Sequence, residues 1–155
     1  LSGQSLGVHE QIVQRTLLPH NPVIVLGGHS IITQMNKRFD RELRKYNRRL
    51  ASLSSPIFVR GRHSVGSREY HGRYFYKKVW DEEQEKIREL YIGLTVPDDD
   101  TDIPDGGFPP APVDRLTGFE YQIFYNNIIC SRQMYDKFFK VFEGKDILVL
   151  RINAK

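Results

Sequence analysis

Thirteen lysines and arginines crowd into residues 37–78, against three carboxylates, Asp40, Glu42 and Glu69. The chemistry open to such a cluster is phosphate neutralisation, because clustered cations release the counterions condensed on a nucleic-acid backbone. Tyr74 and Tyr76 lie among the cations, and exposed rings can stack on unpaired bases. Residues 79–114 reverse the sign, with eleven Asp or Glu against Lys86 and Arg88. The formal net charge of +4 over 155 residues therefore conceals a strongly dipolar chain.

Other chemistry is less well provided for. His9, His20, His29, His63 and His71 lack zinc-ligand spacing, and Cys130 is the one cysteine, so no metal or other cofactor is expected. A calcium loop counted from Asp98 would need Gly sixth and Glu twelfth, where Ile103 and Pro109 stand. A single cysteine also excludes an intrachain disulfide and points to a reducing, intracellular compartment, cytoplasmic or nuclear. An organelle stays open if a transit segment has been removed. No uncharged apolar run reaches the eighteen residues or so of a membrane span, so no membrane is expected as partner. The first 22 residues hold no basic stretch followed by an apolar one, and no secretory leader is read there.

The length suits one domain, 1–155, with residues 1–22 as an arm and 97–114 as an acidic, Pro- and Gly-rich exposed loop. Val23 to Leu26, between Pro22 and Gly27, reads as a buried strand. After Ser30 as a cap, apolar residues recur in steps of three or four at Ile32, Met35, Phe39, Leu43, Tyr46, Leu50 and Leu53, predicting a long helix. Arg38, Arg41, Lys45 and Arg48 recur at the same steps and form a basic ridge on another side. Ser54, Ser55 and Pro56 stop the helix, since Pro56 pushes Ser55 out of helical geometry. Ile57 to Arg60 reads as a short strand and Gly61 to Ser67 as a loop. Glu69 to Trp80 is a Tyr-rich strand that puts Tyr74, Tyr76 and Lys78 on one face and Arg73, Phe75 and Lys77 on the other. Its antiparallel partner is Ile87 to Val96, with an acidic turn or a short helix between them. Phe119 to Ile129 reads as one strand, Ser131 caps a helix that ends near Gly144, and Ile147 to Ile152 is a last strand. The predicted fold class is α+β: one long basic amphipathic helix, a tyrosine-rich antiparallel hairpin and a C-terminal β-α-β unit.

From Phe39 to Gly93 the residues Gly72, Tyr74, Tyr76, Tyr91 and Gly93 resemble a helix plus tyrosine-rich β-hairpin unit found beside nucleotidyltransferase-like domains and in mobile-element proteins. Gly27 and Gly28 are not followed by the paired carboxylates of a nucleotidyltransferase, so the resemblance brings no catalytic residue with it.

The function expected from these features is non-catalytic nucleic-acid binding through Arg38, Arg41, Lys45, Arg48, Arg60, Arg62, Arg73, Tyr74 and Tyr76, with RNA or single strands favoured over a duplex by the aromatics. One alternative is a protein-interaction or assembly domain driven by the charge dipole, with a protein partner or a homo-oligomer. A second is a metal-dependent nuclease or nucleotidyltransferase-like enzyme. Asp105 and Glu120, with Gln122 in place of the usual lysine, resemble the carboxylate set of restriction-type nucleases. A phosphate at Gly27, Gly28 and the helix start is a further expectation.

Overall fold

The structure, a computed structural model, describes residues 19–152. Most of the expected arm, and His9 within it, lies outside them. The described chain is mixed α and β: β1 (Pro22–Leu26), α1 (Gly28–Ser52), β2 (Ile57–Val65), β3 (Arg68–Asp81), β4 (Lys86–Gly93), β5 (Glu120–Phe124), β6 (Asn127–Ser131), α2 (Arg132–Phe142) and β7 (Leu148–Arg151). It divides into two compact units, one made of residues up to Ile31 with those from Glu120 onward, the other Ile32–Phe119.

In the first unit β1 is central. It pairs antiparallel with β6 on one side, Val23 opposite Cys130, and with β7 on the other, Val23 opposite Arg151. Val23, Ile24 and Val25 are fully buried, as a β-branched run held between two neighbours requires. The C-terminal strand, helix and strand are β6, α2 and β7, with β1 inserted between the two strands. Ser131 caps α2 by accepting a hydrogen bond from the Met134 N–H at 3.1 Å, and Gly144 (φ 72) follows its last turn. The single strand expected over Phe119 to Ile129 is instead a hairpin, β5 and β6, in which Phe124 pairs with Asn127. Tyr125 turns left-handed (φ 55) to make a two-residue connection, a geometry the neighbouring asparagines favour.

In the second unit α1 packs on a sheet of β2, β3 and β4, all antiparallel. Leu43, Tyr46 and Leu50 on the helix form one buried cluster with Ile57, Val59 and Phe75. The expected loop at Gly61 is a continuation of β2, with a register shift between Arg60 and Arg62. The glycine serves a close approach rather than a turn: a Cβ there would lie 2.8 Å from Phe39 Cε1. The turn comes later, at Gly66 (φ 58). Between β3 and β4 the acidic stretch is a turn and not a helix, because Asp81 Oδ1 accepts from the Glu83 and Gln84 N–H groups at 3.0 and 3.2 Å.

Residues 94–119 contain no helix or strand, but they do not form the freely exposed loop expected of Pro97 to Pro112. Val96, Ile103, Phe108 and Ala111 pack against the buried cluster, and Leu116 and Phe119 are fully buried. Backbone without regular partners must satisfy its polar groups locally. Here the Ser55 hydroxyl donates to the Asp102 carbonyl and the Tyr46 hydroxyl to the Pro109 carbonyl.

Candidate nucleic-acid interface

The helical steps that bury Leu43, Tyr46 and Leu50 turn Arg38, Arg41, Lys45 and Arg48 to the opposite side of α1, where all four are exposed. With Glu42 and Arg44 they line a shallow depression along the helix. None of the four lies within 4.0 Å of a carboxylate among the described residues. At 1.5 Å rise per residue the four cations extend over roughly 15 Å.

The hairpin residues lie elsewhere. Alternation along β2 and β3 puts Phe58, Arg60, Tyr74, Tyr76 and Lys78 on the sheet face opposite Ile57, Val59 and Phe75, away from the helix. Their rings form a continuous array. Phe58 stacks on Tyr76 with centroids 5.5 Å apart, Tyr76 meets Tyr91 at 5.2 Å, Tyr91 meets Tyr74 at 6.4 Å, and Tyr74 meets His63 at 5.7 Å. Ridge and tyrosines are thus separated by the thickness of a helix and a sheet.

The remaining arginines of the expected site differ in their freedom. Arg60 places its guanidinium 4.9 Å from the Tyr76 ring and 5.2 Å from the Phe58 ring, with Glu89 at 2.7 Å. Arg62 binds the Asp40 carboxylate through both terminal nitrogens, at 2.9 and 3.0 Å. Arg73 is exposed and close enough to Tyr46 to act on its hydroxyl. Burial raises the Tyr46 pKa, and Arg73 and Arg49 partly offset that rise. The structure therefore gathers Arg38, Arg41, Lys45 and Arg48 in one place and Arg60, Tyr74 and Tyr76 in another. Arg62 and Arg73 belong to neither group. Phe58, Lys78 and Tyr91 share this face but are not among the expected binding residues, although the sequence places Lys78 beside Tyr74 and Tyr76, and Tyr91 in the hairpin; the alternation Ile57, Phe58, Val59, Arg60 was the signal for Phe58.

Part of the acidic stretch is engaged inside the unit. Lys77 Nζ lies 2.9 Å from Asp100 and 2.6 Å from Asp102. Hydrogen bonds to Asp102 and Asp100 raise the Lys77 pKa, and the Asp102 N–H followed by Lys77 lowers that of Asp100. Arg88 reaches Asp81 at 3.4 Å.

The phosphate expected at Gly27 and Gly28 meets an occupied corner. The Gly27 N–H donates to Asn127 Oδ1 at 3.0 Å, the His29 N–H donates to the Asn126 carbonyl at 3.1 Å, and the Ser30 hydroxyl bonds Asn126 Oδ1. A Cβ at Gly28 would sit 2.9 Å from Val25 Cγ1, so strand-to-helix packing accounts for that glycine. Burial pushes the Cys130 thiol up to about 12, which leaves it a core residue. Among the described residues no group of three or more His, Cys, Asp or Glu could hold a metal ion. No described helix is long and apolar enough to cross a membrane. No protein-family model matches the chain, and neither a curated protein nor a solved structure is similar to it.

Proposed function

We propose that the chain is a non-catalytic nucleic-acid-binding protein that lays a phosphate backbone along the exposed side of α1, on Arg38, Arg41, Lys45 and Arg48. The observation that carries this reading is four cations in register on one helix face, turned away from the core and, among the described residues, without a carboxylate within 4.0 Å. Five cations and a single carboxylate, Glu42, line this depression, where a face kept only for solubility would intersperse both signs more evenly. A ridge of roughly 15 Å is long enough to meet several consecutive phosphates of one strand, so it suits a backbone in length as well as in sign. Tyr74, Tyr76 and Arg60 on the other sheet face are suited to unpaired bases, which favours RNA or single strands.

The test is a titration of labelled single-stranded and double-stranded DNA and RNA across a salt series, with an Arg41→Ala/Lys45→Ala/Arg48→Ala variant beside the parent. Binding that weakens steeply with salt is expected, and the variant should flatten the dependence of log K on log salt by about 2 to 3. Absence of binding at low salt would sink the reading.

A second reading, a protein-interaction or assembly domain, is favoured by β4. Ile87, Leu90 and Tyr91 are each more than half exposed there, with Trp80 across the hairpin at 61%. Sedimentation at rising concentration tests it, since a domain that assembles through these residues should dissociate on Ile87→Lys.

A further inference from the structure

Between α1 and the β2 side of the sheet lies a groove of about 460 Å³, within the size range of small-ligand sites. Arg44 and Asn47 line it from the helix, and Phe58, Arg60 and Lys78 from the strands. Arg44 also lines the depression along the ridge, so the two surfaces are continuous through that one side chain.

Charge and hydrogen bonding together select the occupant. The two carboxylates in the lining are already held, Asp40 by Arg62 and Glu89 by Arg60. Arg44 and Lys78 have no carboxylate within 4.0 Å among the described residues, so the groove keeps an excess of positive charge. An added peptide strand would need the N–H and C=O of Val59. Asn47 holds both, accepting from the N–H at 2.8 Å and donating to the carbonyl at 2.9 Å. What the groove still offers is cations and flat surfaces: the Phe58 ring, stacked on Tyr76, and the Arg60 guanidinium over both. An unpaired base stacks on surfaces of that kind.

We infer that this groove is the path by which a single strand of nucleic acid passes from the ridge to the tyrosine-bearing face, with Arg44 and Lys78 on its phosphates and Phe58 with Arg60 against a base. The inference rests on the nucleic-acid reading proposed above and explains how two surfaces on opposite sides of the unit can serve one ligand. It also sets a preference, because only an unpaired strand exposes base faces to Phe58.

The experiment compares fluorescence anisotropy of a labelled oligouridylate and of a blunt RNA duplex on the parent, on Arg44→Ala/Lys78→Ala and on Phe58→Leu. Arg44→Ala/Lys78→Ala should reduce the single-strand salt slope by roughly 1.4, at 0.7 per phosphate contact. Phe58→Leu, which keeps an apolar side chain but removes the ring face, should weaken single-strand binding by roughly tenfold and leave the duplex unaffected. If the parent binds the single strand and both variants bind it equally well, the groove is overturned while the ridge stands. Equal losses for strand and duplex would reduce Arg44 and Lys78 to general electrostatics and overturn it too. If the parent binds neither ligand at low salt, the nucleic-acid reading fails and the groove fails with it. Self-association of the parent that Arg44→Ala/Lys78→Ala abolishes would assign the groove to a second copy instead.

Discussion

Ser54 ends α1 in the left-handed region, at φ 64, with its own N–H bonded to the Ala51 carbonyl and the Ser55 N–H to the Leu50 carbonyl. This pair of bonds normally has glycine at the left-handed position, since a Cβ there costs about 1 kcal/mol or more. Ser54→Gly is therefore expected to raise the unfolding free energy by about 0.5 to 1 kcal/mol in urea titration, and a loss of stability would show that the serine side chain is needed there. Ser55 makes the opposite case. It is buried, its hydroxyl donates to the Asp102 carbonyl at 2.6 Å and accepts from the Ile57 N–H at 3.2 Å, and Ser55→Ala should cost about 1 to 2 kcal/mol. In the sequence, Ser54, Ser55 and Pro56 were legible only as a stop. The partner of Ser55 lies 47 positions away, and no local pattern encodes it. Cys130 gives a third expectation at this scale. A thiol buried and raised to about 12 should react with a disulfide reagent at neutral pH only when the chain is unfolded, so rapid labelling of the native protein would show that its strand opens.

Among elements, the segment 94–119 gains most from the structure. Its aspartates and prolines signal irregular backbone correctly, but composition does not reveal that Ile103 and Phe108 supply apolar anchors and Lys77 an ionic one. The linkage follows from the two shifts. Asp100 is lowered from 3.8, so its contribution to stability is complete above that pH and is lost as pH falls through the lower folded value. Lys77 is raised from 10.5, so its contribution is complete below that pH and is lost as pH rises through the higher folded value. The contact should be intact across the neutral range and weaken only at the two extremes. Lys77→Met should abolish the alkaline-side dependence, leave the part of the acid-side dependence that the Asp102 N–H sustains, and speed proteolytic cleavage within 94–119 at pH 7 severalfold, whereas an unchanged cleavage rate would leave the apolar anchors as the whole of the attachment. The same kind of long-range closure hid the extent of β2. Gly61 resembles a loop residue until Phe39 is seen against it, and residues 39 and 61 are too far apart for periodicity to connect them.

For the molecule as a whole, the charge pattern was the legible part, because helical spacing alone fixes that Arg38, Arg41, Lys45 and Arg48 share a face. That a sheet stands between this face and Tyr74 and Tyr76 was not legible, since it depends on which side of β3 packs against α1. Sequence proximity made one surface of what the fold makes two. The ridge also has an energetic consequence. Arg41 and Lys45, Arg44 and Arg48, and Lys45 and Arg49 are like-charged pairs four residues apart, each destabilising a helix by about 0.2 to 0.5 kcal/mol, and Glu42 offsets only part of this. If the ridge exists to contact phosphate, it is held against the interest of the fold, and removing it should reveal the conflict. The Arg41→Ala/Lys45→Ala/Arg48→Ala variant, which also introduces a better helix former at three positions, should unfold at a higher urea concentration than the parent in dilute buffer. The difference should shrink in molar salt, where the Debye length falls to about 3 Å and the repulsion is screened. Circular dichroism through both urea titrations measures it. A variant less stable than the parent at both salt concentrations would mean that the arginines hold α1 in place, and the ridge would then be a structural feature with no conflict to explain.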